Sequence, residues 1–156
     1  HISNKEKIEL SPEDYHLIVK KSDNKLNLAI WLLEAKKYNI GRTVHVSEGR
    51  SPQEIIDAIH LLDAQRLGHA CSILEDEGAV ELVKAKNVVI EACPTSNVHT
   101  GIYNSISEHP IKAWIKQKIP VVICADNTLM SNVTTYQEIS NVKNSFLALH
   151  IIQKLN

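Results

Sequence analysis

The sequence is short of several things, and each shortage removes a class of function. Its 17 basic and 18 acidic residues leave neither sign in excess, so no strong field draws the chain to nucleic acid or to an anionic membrane. A small-molecule partner is the expectation. Apolar runs such as "VVI" at 88–90 and "PVVICA" at 120–125 are brief, far below the roughly 20 residues that a bilayer demands. The polar start, "HISNKEKIEL", carries no signal-peptide core, and a cytoplasmic setting is expected. Cysteine is scarce and odd in number: Cys71, Cys93 and Cys124 form no C-x-x-C pair. That argues against a disulfide framework and against a thiolate zinc site, so each should pack as a small buried residue. The five glycines, at 41, 49, 68, 78 and 101, are too scattered for G-x-G-x-x-G or G-x-x-x-x-G-K-[ST], which removes the usual nucleotide cradles. No internal repeat, low-complexity tract or linker divides the chain.

What is present suffices for one packed domain, with 156 residues of which 44% are hydrophobic. Four β-rich runs stand out: "RTVHV" (42–46), "AQRLGHA" (64–70), "NVVIEACP" (87–94) and "IPVVICADN" (119–127). Their hydrophobicity is continuous rather than alternating, as for parallel strands covered on both faces. Helical signals lie between them. Ser51-Pro52-Gln53-Glu54 reads as a capping box with proline at the first helical position, predicting a helix from Pro52 to Leu62. Further helices are predicted over Glu75–Lys86 and over "HPIKAWIKQK", begun by Pro110. The longest starts at a second box, Thr135-x-x-Glu138, and carries Ile139, Val142, Phe146 and Leu149 at helical spacing. An earlier helix is expected over Leu26–Tyr38, and Ser11-Pro12-Glu13 could start another; "YHLIV" (15–19) reads equally as strand or helix. This succession implies an α/β fold with a parallel sheet, either doubly wound or part of a β/α barrel. In both, polar residues at the carboxyl ends of the strands gather around one site.

Those ends are rich in reactive groups. The first strand ends at His45 with Glu48 just beyond, the second at His69, the third runs into Glu91 and Cys93-Pro94, and the fourth ends at Asp126-Asn127. One histidine at a strand end is more often structural than not. Agreement among His45, Glu48, His69 and Asp126 points instead to metal-assisted hydrolysis, because imidazole and carboxylate suit Zn²⁺ and a spare carboxylate can move protons. Other polar residues have plainer readings. Glu91 suits a strand residue paired with an arginine, Pro94-Thr95-Ser96-Asn97 reads as a turn, His99 falls in a loop and His109 at a helix start. His16, His60 and His150 belong to no local motif. The H-x-E…P-C-x-x-C pattern of the zinc cytidine deaminases is not met.

Four segments together resemble the adenosine deaminases, a family of amidohydrolase-like β/α barrels. "TVHVSEG" is similar to the family's H-A-G-E strand end, "RLGHA" to R-[IL]-G-H-G, "CPTSNVHTG" to C-P-T-S-N-x-x-T-G, and "VVICADNT" to its final-strand segment. The likeness runs from about Asn27 to Phe146; residues 1–25 show none. It implies that His45 and Asp126 hold zinc, that Glu48 hands a proton to N1 of a purine nucleoside, that His69 orients and polarises the attacking hydroxide, and that Asn127 faces N7. The pattern departs from the family at Val46 and Ser47, in place of alanine and glycine, at Ala70, in place of glycine, and at Asn127, often a second aspartate. An amide can still donate to N7.

The resemblance also implies a remainder. The family's first barrel strand ends in an H-x-H zinc pair, which these 156 residues lack, and an eight-unit barrel takes about 250 residues. Residues 1–156 are therefore expected to form part of a single barrel domain, its C-terminal half, completed by an N-terminal half or by self-association. A non-catalytic remnant acting as a binding module is the competing expectation, and adenine or N6-substituted AMP are the competing substrates.

Overall fold

The computed structural model describes Leu32 and residues 34–155, with side chains described as far as Phe146. Of the expected first helix only the last turn, 34–37, falls within this range; the candidates at 11–13 and 15–19 lie outside the described residues. Four strands, β1 (Thr43–Val46), β2 (Arg66–His69), β3 (Val89–Ala92) and β4 (Val121–Ile123), form one parallel sheet in the order β1-β2-β3-β4. The order never reverses. A doubly wound sheet would reverse at its switch point, whereas each unit here steps one strand along, as in a singly wound barrel wall.

The helices follow the sequence closely, with instructive shifts at their ends. α1 (Gln53–Leu61), α2 (Glu77–Ala85), α4 (Ile111–Lys116) and α6 (Thr135–Leu155) are the four expected. Two short ones are additional: α3 (Pro94–His99), where a turn was expected, and α5 (Thr128–Ser131). Pro94 occupies the first turn of α3, where its missing N–H costs nothing. α2 starts later than Glu75 because Asp76 caps it, accepting from the Ala79 N–H at 3.0 Å. The box before α6 lies one residue earlier than expected: Thr134 Oγ1 accepts from Gln137 N–H at 3.3 Å, and Gln137 Oε1 accepts from Thr134 N–H at 2.8 Å. Before α1 only half a box forms, with Ser51 Oγ accepting from Gln53 N–H at 3.2 Å. Both glutamates expected to close these boxes are used elsewhere.

The helices cover one face of the sheet. Val46, Leu67, Ile90 and Ala92 join Ile55, Ala58 and Ile59 of α1, Ala79, Val80 and Val83 of α2, Ile111 and Trp114 of α4, and Val142 of α6 in one buried cluster. Burying such side chains stabilises by about 25 cal/mol per Å² of apolar surface, which makes this face the source of the fold's cohesion. On the other face the residues between them, Thr43, His45, Arg66 and Val122, are exposed. The sheet thus alternates in burial, where continuous hydrophobicity had suggested two covered faces; among the described residues nothing lies over the second. Arg66 and Glu91 pair across that open face, Nε to Oε1 at 2.5 Å, in keeping with the structural reading of Glu91. Cys71 and Cys93 are buried and Cys124 half-buried, all as free thiols. Burial pushes the Cys71 thiol up to about 11. Among the described residues no helix is long and apolar enough to cross a membrane.

Candidate active site at the carboxyl ends of the strands

Parallel registration aligns the ends of β1 and β2, pairing His45 with Gly68 and Val46 with His69. Gly68 sits where the neighbouring strand approaches closely. A Cβ there would meet His45 Nδ1 at 3.2 Å and Cγ at 3.3 Å, so a larger residue would push the imidazole back by a few tenths of an ångström. His69 then takes φ of 68°, leaving extended conformation and ending the strand. The result is close contact of the two rings, His45 Nδ1 to His69 Nε2 at 2.9 Å, centroids 4.9 Å apart. Glu48 completes the group, with Oε2 3.6 Å from His69 Nε2.

Potential ligand atoms of His45, Glu48 and His69 all lie within 4.8 Å of one another. Two imidazoles and a carboxylate are the donor types that zinc and similar divalent ions take. Three of the residues expected at the site are therefore brought together. His69 is 1% exposed, and burial holds its imidazole below the ordinary value, against the pull of the Glu48 carboxylate. Asp126 and Asn127 stand apart from this group, at the exposed end of β4. Asp126, with φ of 55°, accepts from Ser96 Oγ at 2.7 Å. Asn127 caps α5, its Oδ1 accepting from the N–H groups of Leu129 and Met130 at 3.1 and 3.2 Å. Its oxygen is thereby engaged, and its NH₂ is left to donate.

The loops that carry these groups are braced from behind by the two displaced glutamates. Glu54 Oε2 accepts from Ser47 N–H at 3.0 Å, immediately after β1. Glu138, fully buried, accepts from Thr95 N–H at 2.6 Å and from Thr95 Oγ1, immediately after β3. An acid in the first turn of a helix is thus spent on backbone that follows an earlier strand rather than on its own cap. Ser47 and Ala70, the two departures from family glycines, have φ of 52° and 47° and are fully buried. Both are left-handed positions, which glycine adopts without the penalty a Cβ incurs.

Two further residues belong to this site, one carried only by its place in "CPTSNVHTG" and one with no signal in the sequence. Asn97 is fully buried, with its amide nitrogen 3.1 Å from His69 Nδ1 and 3.4 Å from Glu48 Oε1. Its oxygen faces His109 Nε2 at 3.4 Å. His109, expected merely to begin a helix, is 3% exposed. The cue available was "SN" on α3, hidden by its reading as a turn.

Comparison with known proteins agrees with this geometry. The adenosine deaminase of Vibrio vulnificus (strain YJ016) is 44% identical over 112 residues, covering 72% of this chain and 34% of that protein. The chain thus spans about a third of the length of such relatives. Adenine deaminase from Arthrobacter aurescens superposes with a TM-score of 0.71 at 19% identity, over 76% of this chain and 36% of that one. An amidohydrolase from Burkholderia ambifaria with bound Zn gives 0.64 at 14%, over 76% and 34%. At such identities the likeness is one of fold, and it makes the four-stranded sheet part of a β/α barrel. The adenosine deaminase family model matches residues 31–150, most of the sequence and all four strands, and the chain belongs to the adenosine deaminase family.

Proposed function

We propose that this chain supplies the C-terminal part of the active site of a zinc-dependent adenosine deaminase, which converts adenosine and water to inosine and ammonia. The observation that carries the reading is the convergence of His45, Glu48 and His69 at the ends of two adjacent strands. The donor types fit the metal: His45, and Asp126 from outside that group, would hold zinc from this chain. A catalytic zinc takes three protein ligands as a rule, so the others would come from an N-terminal barrel half, within one β/α-barrel domain that includes residues 1–156. When bound, zinc lowers the pKa of water from 15.7 to about 7, giving a nucleophile at neutral pH.

The chain's own residues account for the rest. Attack at purine C6 pushes electrons onto N1, and a protonated Glu48 neutralises that charge as it develops, so its effect falls on the transition state. His69, held against Glu48 and His45, orients the attacking oxygen. Asn127 offers its free NH₂ to N7, its oxygen being committed to α5. A cytoplasmic setting fits the three free thiols.

Glu48→Gln preserves shape and removes the transferable proton. In the intact protein, turnover followed by loss of adenosine absorbance should fall about 10²-fold or more with KM little changed. Near-normal turnover would rule out Glu48 as the proton donor. His45→Ala should remove most of the zinc, and full occupancy by elemental analysis would exclude it as a ligand.

A further inference from the structure

Behind the reactive groups runs a chain of hydrogen bonds whose direction is set at its far end. It begins at a backbone N–H, which can only donate: Ile111 N–H points to His109 Nδ1 at 3.2 Å. His109 Nδ1 must therefore accept, and the neutral ring carries its proton on Nε2. That Nε2–H faces Asn97 Oδ1 at 3.4 Å. With its oxygen accepting, the Asn97 amide turns its NH₂ inward, where both neighbours, His69 Nδ1 at 3.1 Å and Glu48 Oε1 at 3.4 Å, are acceptors. His69 Nδ1 then accepts, so its proton lies on Nε2, the nitrogen that faces His45 Nδ1 at 2.9 Å. From Ile111 as far as His69 Nδ1, each link permits only one polarity once the first is fixed.

The far end is built to be rigid. His109 precedes Pro110, which favours extended backbone in the residue before it, and His109 has ψ of 134°. Its ring is held edge-on between Tyr103 and Trp114, with centroids 5.0 and 5.1 Å away. Burial keeps the imidazole neutral through the physiological range.

We propose that His109 is a positioning residue that fixes the tautomer and orientation of His69 through Asn97, so that His69 presents a donor, not an acceptor, to the reacting oxygen. The tautomer part stands on the hydrogen-bond geometry alone, while the consequence for the reacting oxygen rests on the proposed deamination. Ring nitrogens report protonation directly in ¹⁵N-resolved NMR spectra of the intact protein at neutral pH. His69 should show a protonated Nε2 and a bare Nδ1. Asn97→Asp replaces the donating NH₂ by a carboxylate oxygen and should move the proton to His69 Nδ1. His109→Phe should leave the two tautomers mixed, and His109→Gln, whose side-chain NH₂ can still donate to Asn97 Oδ1, should recover the Nε2–H form. A protonated Nδ1 in the unaltered protein, or a His69 tautomer unchanged by both Asn97→Asp and His109→Phe, would overturn the proposal. Far-UV circular dichroism identifies which variants are folded, and Asn97→Asp, nearly isosteric, provides a test independent of His109→Phe.

Activity is the separate arm. Loss of a partner that orients a site histidine costs about 10- to 100-fold, so His109→Phe should lower kcat by at least about 10-fold with KM nearly constant, and His109→Gln should restore most of it. If the unaltered protein shows the expected tautomer and no deamination of adenosine, the proposed reaction fails and the positioning role of His109 stands.

Discussion

The two walls of the site are held in different ways. On one, His69, Asn97, His109 and Glu138 are at most 3% exposed, and each has partners supplied by this chain. On the other, His45, Asp126 and Asn127 are exposed, and just beyond Asn127 stand Leu129 and Met130, apolar side chains that are 92% and 79% exposed. A buried polar group must be fully partnered or it destabilises the fold, whereas an exposed one is satisfied by water and leaves its geometry open. The buried wall is therefore defined by this chain, and the open wall is the side on which the proposed N-terminal half of the barrel would close.

The largest blow to the buried wall should come from behind it. Glu138→Ala leaves the N–H and Oγ1 of half-buried Thr95 without the buried carboxylate that accepts from both, and an unmet buried donor costs about 1–3 kcal/mol, more where the partner was charged. Unfolding of the intact protein in urea should show a loss of about 4 kcal/mol. Glu138→Gln, which keeps one acceptor oxygen, should lose about half as much. A small loss in both would mean that water replaces the carboxylate and that this wall is wetter than its burial indicates.

Acid should act on the same wall. Burial above all, and then the His69 imidazole, pushes His109 down to about 4 from an ordinary value of 6.5. A depressed histidine is neutral in the fold and protonated more readily when unfolded, so its contribution is complete above pH 6.5 and is lost as pH falls toward 4. A separation of this size corresponds to roughly 3 kcal/mol. The difference in stability between pH 7 and pH 4.5 should be smaller in His109→Gln than in the unaltered protein by about 2 kcal/mol, a comparison in which the carboxylates cancel. Equal pH dependence in the two would show that the imidazole is hydrated in the fold.

Which parts of this arrangement the sequence announces follows from how local each one is. The strands are legible because short β-branched runs such as "RTVHV" and "PVVIC" need no distant partner to be recognised. The rim residues His45, Glu48 and His69 follow, since a strand end is a position along the chain. Glu54 and Glu138 mislead for the opposite reason. Each sits where a capping box wants an acid, yet its hydrogen-bond partner lies seven residues away in one case and 43 in the other. Local pattern cannot show that a tertiary donor has outbid the helix's own N–H groups. The reading of 94–97 as a turn fails similarly, because a six-residue helix opened by proline has too few residues to display a period. His109 is hidden entirely, its role resting on a contact with Asn97 across 12 residues and on one from Asn97 to His69 across 28.

The smallest effect tests the turn that aims His69 into the site. Ala70 and Ala79 are both fully buried, one in the turn after β2 with φ of 47°, the other inside α2. In α2, Ala79→Gly removes a buried methyl, about 0.8 kcal/mol, and adds the helix penalty of glycine, up to about 1 kcal/mol, for a loss of about 2 kcal/mol. At position 70 the methyl is lost as well, but the left-handed backbone costs an L-residue about 1–2 kcal/mol that glycine escapes. The terms nearly cancel, and Ala70→Gly should change stability by less than about 1 kcal/mol. The same atoms are removed in both variants, so the gap of about 2–3 kcal/mol between them, measured by urea unfolding, reports the handedness of the turn together with the helix penalty of up to about 1 kcal/mol. Equal losses would mean that residue 70 relaxes out of the left-handed region in solution. The aim of His69 would then depend on Asn97 and His109 alone.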